Sequence, residues 1–275
     1  MAPKSVGKVL ERFSSKGTRF YRIKTANDSE ALYPSVTSVL KTVNKPQLNR
    51  WLVDQTAKRL AQQLGDSKRE KQWADLPEWP EAWVAEQIVE AKRAPSVISG
   101  AAMSLGTDGH ELIDKLVLAE VAGILPPKEA LPPYPEQLVP VMHNYKAWRE
   151  ECGYTFQQGD IMIWSERFGY AGAADAVALD GAGKLIIIDF KTSLAVYEDY
   201  ALQAAAYCQA YEEMYDVEVT GASIVRLGKD REGDVQELPV RDWRDTFRAF
   251  HGVLAAWKWL DGQAAAPAFS ADRMK

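Results

Sequence analysis

Asp175, Asp189 and Lys191 are residues of this chain whose types and spacing could do chemistry. Asp180-Gly181-Ala182-Gly183 is a strong turn signal between two strand-like runs, 170–179 and 184–190, which should pair as an antiparallel hairpin. With the loop centred on Ala182, Asp175 falls opposite Asp189, and directly opposed residues share a face. Two carboxylates opposed across a sheet repel each other unless a cation or a proton lies between them. A hard divalent ion meets that demand, because Mg²⁺ and Mn²⁺ take oxygen ligands. Strand alternation puts Lys191 on the face of Asp189, beside the ion, while Ile186, Ile188 and Phe190 point the other way into the core.

An Asp-x-Lys met anywhere in a sequence is most often a polar pair at a strand end, and Asp175 could simply be bonded to backbone. Two features set this one apart. Asp189 closes the apolar run from Leu185 to Ile188, and an aspartate lies opposite it on the paired strand. A β-bulge between them would shift the register and undo the opposition.

The elements that must hold these residues can be read from periodicity. A hairpin is expected from 18–23 and 31–33 around Asn27-Asp28-Ser29, followed by a short helix through Val39 capped by Ser35 or Thr37. Helical patterns follow at 48–64, 79–93, 96–121 and 135–151. Pro126, Pro127, Pro132, Pro133 and Pro135 force a connecting loop before the last of these. After Gly153 the pattern turns β-rich, with strands at 154–164, 170–179 and 184–190. A helix at 200–215, strands at 219–227 and 233–239, and a helix at 241–260 complete it. This predicts a mixed α/β core over 151–262, with a hairpin and helices of 1–150 packed on it and a frayed tail at 263–275.

Composition sets the outer bounds. A chain of 275 residues, 47% of them hydrophobic, can bury a sizeable core. No apolar run approaches the roughly 20 residues that span a bilayer. The first residues are basic and contain serine, as organelle transit peptides are, but they lack a cleavage signal and lead straight into a strand-like run, so a cytosolic compartment is expected rather than the mitochondrial matrix. Cys152 and Cys208 lie far apart and form no metal-ligand pattern, which also fits a reducing compartment. The net charge of −5 argues against a protein that coats nucleic acid, yet the segment 41–71 is locally basic. Within it Arg50, Lys58 and Arg59 are candidates for a phosphate-facing surface, although a merely solvated helix face has the same pattern. Several of the nine tryptophans fall between Trp51 and Trp83, where they could stack on unpaired bases or simply pack.

Four blocks in order carry a resemblance to a known family. They are Gly106-Thr107-Asp108-Gly109-His110-Glu111, Gly172-Ala173-Ala174-Asp175, Ile188-Asp189-Phe190-Lys191-Thr192-Ser193 and Gln203-Ala204-Ala205-Ala206-Tyr207. They resemble motifs of the RecB-like branch of the PD-(D/E)xK nucleases. With Tyr33-Pro34-Ser35-Val36-Thr37, the chain is similar to the mitochondrial genome maintenance exonucleases and related phage-encoded exonucleases. The resemblance implies a mixed central sheet of the restriction-endonuclease-like type with a helical N-terminal half. It implies that His110, Asp175, Asp189 and the backbone carbonyl of Phe190 hold Mg or Mn, that Lys191 positions the attacking water and stabilises charge, and that Gln203 and Tyr207 line the site. Gln203 and Tyr207 share one helix face at i, i+4 spacing, whereas Glu111 points about 100° away from His110 and is left out. Some relatives in the wider branch, CRISPR-associated exonucleases among them, hold an iron–sulfur cluster on four cysteines. Two cysteines cannot do so, and no such cluster is expected.

Phosphodiester hydrolysis needs a nucleophile formed near neutral pH and stabilisation of charge on the phosphate, and bound metal ions supply both. The expected activity is therefore that of a metal-dependent DNA exonuclease, with a preference for single-stranded ends implied by the resemblance alone. The competing readings are a catalytically idle nuclease fold that binds or recruits nucleic acid, and a hydrolase of another phosphoester.

Overall fold

Tight turns build the first sheet. In the computed structural model of the protein, which describes residues 7–43, 46–69, 81–124 and 134–261, β1 (Lys8–Ser15) reverses through Lys16 and Gly17, at φ 48° and 78°, into β2 (Thr18–Lys24). A second turn through Asp28, at φ 64°, leads into β3 (Glu30–Pro34), giving an antiparallel sheet in the order β1-β2-β3. The β2–β3 hairpin matches expectation. β1 does not show in the sequence pattern because Glu11 and Arg12 break its alternation, and its pairing with β2 slips between Val9 and Glu11. Ser35, rather than Thr37, caps the short helix α1 (Val36–Val39), its hydroxyl accepting from the Ser38 N–H at 3.0 Å.

By its internal packing the chain divides into two units, one of Met1–Val43 with Asp108–Lys275, the other of Asn44–Thr107. The boundary expected near residue 150 falls inside the first unit. Helix α2 (Pro46–Arg69), α3 (Glu81–Ala91) and the N-terminal part of α4 (Ala94–Val121) make up the described part of the second. Pro46 opens α2, where a missing N–H costs nothing. Lys45, Lys71 and Trp73, the prolines 126–133 and the tail 263–275 lie outside the described residues.

In the first unit the chain continues through α5 (Val139–Glu151) into β4 (Thr155–Ser165), β5 (Tyr170–Leu179) and β6 (Leu185–Lys191). Then come α6 (Glu198–Tyr215), β7 (Gly221–Leu227), β8 (Val235–Val240) and α7 (Trp243–Leu260). The five strands lie in chain order; β6 and β7, joined across α6, run parallel, and the other neighbours are antiparallel. This is the mixed α/β architecture anticipated from the pattern of elements.

β6 is buried on both faces, so its apolar run is continuous rather than alternating. Phe190 packs edge-on against Tyr145 and Trp148 of α5, with ring centroids 5.8 and 5.3 Å away. Leu185 and Ile187 belong instead to the core cluster that includes Ala204, Ala205 and Ala206 of α6. Because α6 carries alanine there, its backbone can approach the sheet closely. Among the described residues no helix is long and apolar enough to cross a membrane.

Candidate active site

The β5–β6 hairpin has the register set by its turn. Asp180 Oδ1 accepts from the N–H groups of Ala182 and Lys184 at 2.9 and 2.8 Å, Gly183 takes φ 73°, and the ladder runs from Leu179↔Leu185 to Ala176↔Ile188. One step further lie Asp175 and Asp189. There the Asp175 carboxylate accepts from the Phe190 N–H at 2.6 Å. On the other side of β5, Gly159 pairs with Ala176 and Ile161 with Ala174, so Asp160, at φ 44°, also falls level with Asp175. Sequence reasoning missed Asp160; its signal would have been the register of β4, which a shift between Phe156 and Gln158 conceals.

Asp189 is 1% exposed. The Lys191 ammonium closes on its Oδ2, and Gln203 Nε2 donates to its Oδ1 at 3.2 Å. Gln203 Nε2 also reaches the Tyr207 hydroxyl at 2.8 Å, one helical turn along α6. The Tyr207 ring in turn needs Gly172: a Cβ added there would stand 2.5 Å from Tyr207 Cε1. A glycine three residues before Asp175 on β5 thus makes room for the Tyr207 ring. Gly172→Ala is expected to displace Tyr207 and cost about 1–3 kcal/mol of stability. Thermal unfolding measures this, and an unchanged Tm would mean that Tyr207 swings aside freely.

His110, in α4, has its Nδ1 3.9 Å from Asp175 Oδ2, too far for a hydrogen bond. Burial, with the Lys191 ammonium adding to it, lowers the His110 pKa to about 4 against a smaller pull from Asp189. Its imidazole is therefore neutral near pH 7, with a lone pair to offer. Burial raises Asp189 to about 6, with Lys191 opposing and Asp175 reinforcing the shift. Asp175 is raised as well, first by burial and less by Asp160, against Lys191 and the Phe190 N–H. For Lys191, burial favours the neutral amine, but Asp189 and Asp175 outweigh it and the net shift is upward. Asp114, one turn beyond His110 on α4, is pushed up to about 7 by burial and then by Asp175, Asp160 and Glu111. It too escaped the sequence reading, although its i+4 spacing from His110 was visible. Glu111 is exposed.

Both contacts that a purely structural Asp-x-Lys would need are present: Lys191 pairs with Asp189, and Asp175 bonds to backbone. That role leaves one thing unexplained: a glutamine–tyrosine pair is committed to holding the same carboxylate.

A family model of the PD-(D/E)XK nuclease superfamily matches residues 8–271. The chain belongs to that superfamily. No curated protein matches it. Among solved structures it is similar to the crystal structure of SSO0001, at 16% identity and a TM-score of 0.25, over 42% of this chain and 56% of that one. The aligned part thus spans little more than half of that chain's length.

PD-(D/E)XK nucleases act on nucleic acid and generally use divalent metals such as Mg or Mn. Among the described residues no three His, Cys, Asp or Glu side chains stand ready as a metal-holding group. The donor set nonetheless fits a hard cation: two aspartates whose ionised forms are disfavoured where they stand, an Asp189 Oδ2 already drawn to the positive charge of Lys191, and a neutral imidazole. In this structure Lys191 supplies the positive charge that the carboxylates require.

The other candidates of this PD-(D/E)XK protein lie in its second unit. Arg50 and Lys58 are exposed on α2, whereas the Arg59 guanidinium is engaged by Glu90 of α3 at 2.9 Å. Trp51 and Trp83 are partly buried, and Trp73 and Trp79 lie outside the described residues.

Proposed function

We propose that the chain is a metal-dependent DNA exonuclease of the RecB-like branch, acting at single-stranded ends. The observation that carries this reading is the buried Asp189 carboxylate, held by Gln203 from α6, faced by Lys191 and one register step from Asp175. The Gln203–Tyr207 pair supports the RecB-like assignment, because it gives the glutamine and tyrosine of that motif a task at the carboxylate.

Asp175, Asp189, the Phe190 carbonyl and His110 would hold Mg or Mn. When bound, that ion supplies Lewis acidity and lowers the pKa of water. Lys191, kept charged by two carboxylates, donates hydrogen bonds from Nζ to the attacking water and to the phosphate oxygen on which charge grows. Gln203 fixes the orientation of Asp189, and Tyr207 fixes Gln203.

The Asp189–Lys191 ion pair favours one rival, an idle fold that only binds nucleic acid. Cleavage of end-labelled single-stranded, duplex and circular DNA with Mg²⁺, Mn²⁺ or EDTA separates the two. Metal-dependent loss of linear single strands supports the exonuclease; binding without cleavage of any substrate supports the idle fold.

Charge reversal should locate the binding surface. Arg50→Glu and Lys58→Glu are expected to weaken DNA binding roughly tenfold at low salt and to flatten its salt dependence, since each removes a cation able to meet a phosphate. Arg59→Glu should do less, because its charge already serves Glu90. Affinities unchanged across salt concentrations would put the groove elsewhere.

A further inference from the structure

Tyr197 and Tyr200 stand at the lip of the site, in the turn that delivers α6. The Tyr200 ring lies over the Lys191 ammonium, 5.0 Å from Nζ to centroid. Tyr197 meets Tyr200 edge to face, with centroids 5.5 Å apart and planes at 83°. Tyr197 is 36% exposed and its neighbour Leu194 63% exposed, so the outward end of this aromatic step is open. Tyr197 is the N-cap residue of α6, yet its side chain makes no capping hydrogen bond, and helix formation does not account for an aromatic there.

We infer that Tyr197, backed by Tyr200, is a stacking platform for an unpaired nucleobase next to the phosphate bound at Lys191. The inference rests on the nuclease reading and deepens it. A phosphate held at the Lys191 ammonium has the Tyr200 face beside it and the Tyr197 ring one step further out, so the attached base meets an aromatic surface. The charges agree: Glu198 and Asp199 in the first turn of α6 repel a second phosphate but not the neutral face of a base. Such an aromatic platform is sequence-tolerant, since every base has a π-face. Bases inside a duplex are already stacked and paired, so the platform discriminates in favour of single strands, which the chemistry of phosphate cleavage does not do by itself.

The test is fluorescence anisotropy of labelled single-stranded and duplex DNA with the full chain in EDTA, beside steady-state cleavage in Mg²⁺. Tyr197→Ala is expected to raise the Kd and the KM for single strands about tenfold and to leave duplex binding unchanged. Tyr197→Trp and Tyr197→Phe should retain tight binding. A single strand with an abasic position at the platform should bind the parent chain as weakly as it binds Tyr197→Ala. Equal single-strand binding by Tyr197→Ala and the parent overturns the platform, as does a parent chain that holds single strands no better than duplex. If Tyr197→Ala weakens binding while the parent cleaves nothing, the nuclease reading fails and the platform stands; cleavage indifferent to Tyr197 sinks the platform alone.

Discussion

Asp189→Asn or Lys191→Met is expected to lower DNA cleavage about a hundred- to a thousandfold while the chain remains folded. In the proposed mechanism each removes a group that would act on the developing charge or hold the cation, and losses of that order follow from removing a single preorganised electrostatic contact. Folding should survive for reasons visible in the site. Without Lys191, the Asp189 carboxyl, already raised to about 6, takes up a proton instead of standing as an uncompensated buried charge. Without the Asp189 charge, Lys191 keeps the field of Asp175 and the face of Tyr200. Cleavage rates and far-UV circular dichroism of both variants provide the measurement. Parental activity in either one would move the chemistry away from β6.

A divalent metal should stabilise the chain, and the gain should depend on pH. The folded-state pKa of Asp189 is raised from 3.8 to about 6, so the folded state binds its proton more tightly than the unfolded chain does. Its contribution to the metal-free protein is present below about pH 4 and is lost as pH rises through about 6. The cation reverses this, because it binds the ionised carboxylate. At a hundred times the dissociation constant, Mg²⁺ or Mn²⁺ should add about 2.7 kcal/mol, or roughly 5 °C or more in Tm. At the same metal concentration that gain should fall to about half at pH 5, be nearly complete above pH 7, and be missing in Asp189→Asn. Thermal unfolding with Mn²⁺ or EDTA across this pH range measures it. A shift independent of pH, or one that persists in Asp189→Asn, would place the ion on other ligands.

Much of the fold and part of the site are local properties of the chain. The Asp180–Gly183 turn and the alternation around it are enough to bring Asp175 level with Asp189, because a hairpin's register depends on a handful of residues. Ser35 as a cap, the i, i+4 pair Gln203 and Tyr207, and the helix and strand patterns from α2 onward are equally local. Tertiary packing decided the rest. Which neighbour claims Asp189 depends on α6 approaching the sheet over its alanines, and on Gly172 leaving space for Tyr207. The additional carboxylates, Asp160 and Asp114, come from β4 and α4, distant in sequence, and only the assembled sheet shows that they share a field with Asp175. The division into units also follows packing: β1, β2 and β3 join the C-terminal core rather than the helices that succeed them in the chain. Periodicity records which face of an element is apolar, but the partner that covers the face, and the cation that settles beside a buried carboxylate, are set by long-range contacts that no window of sequence contains.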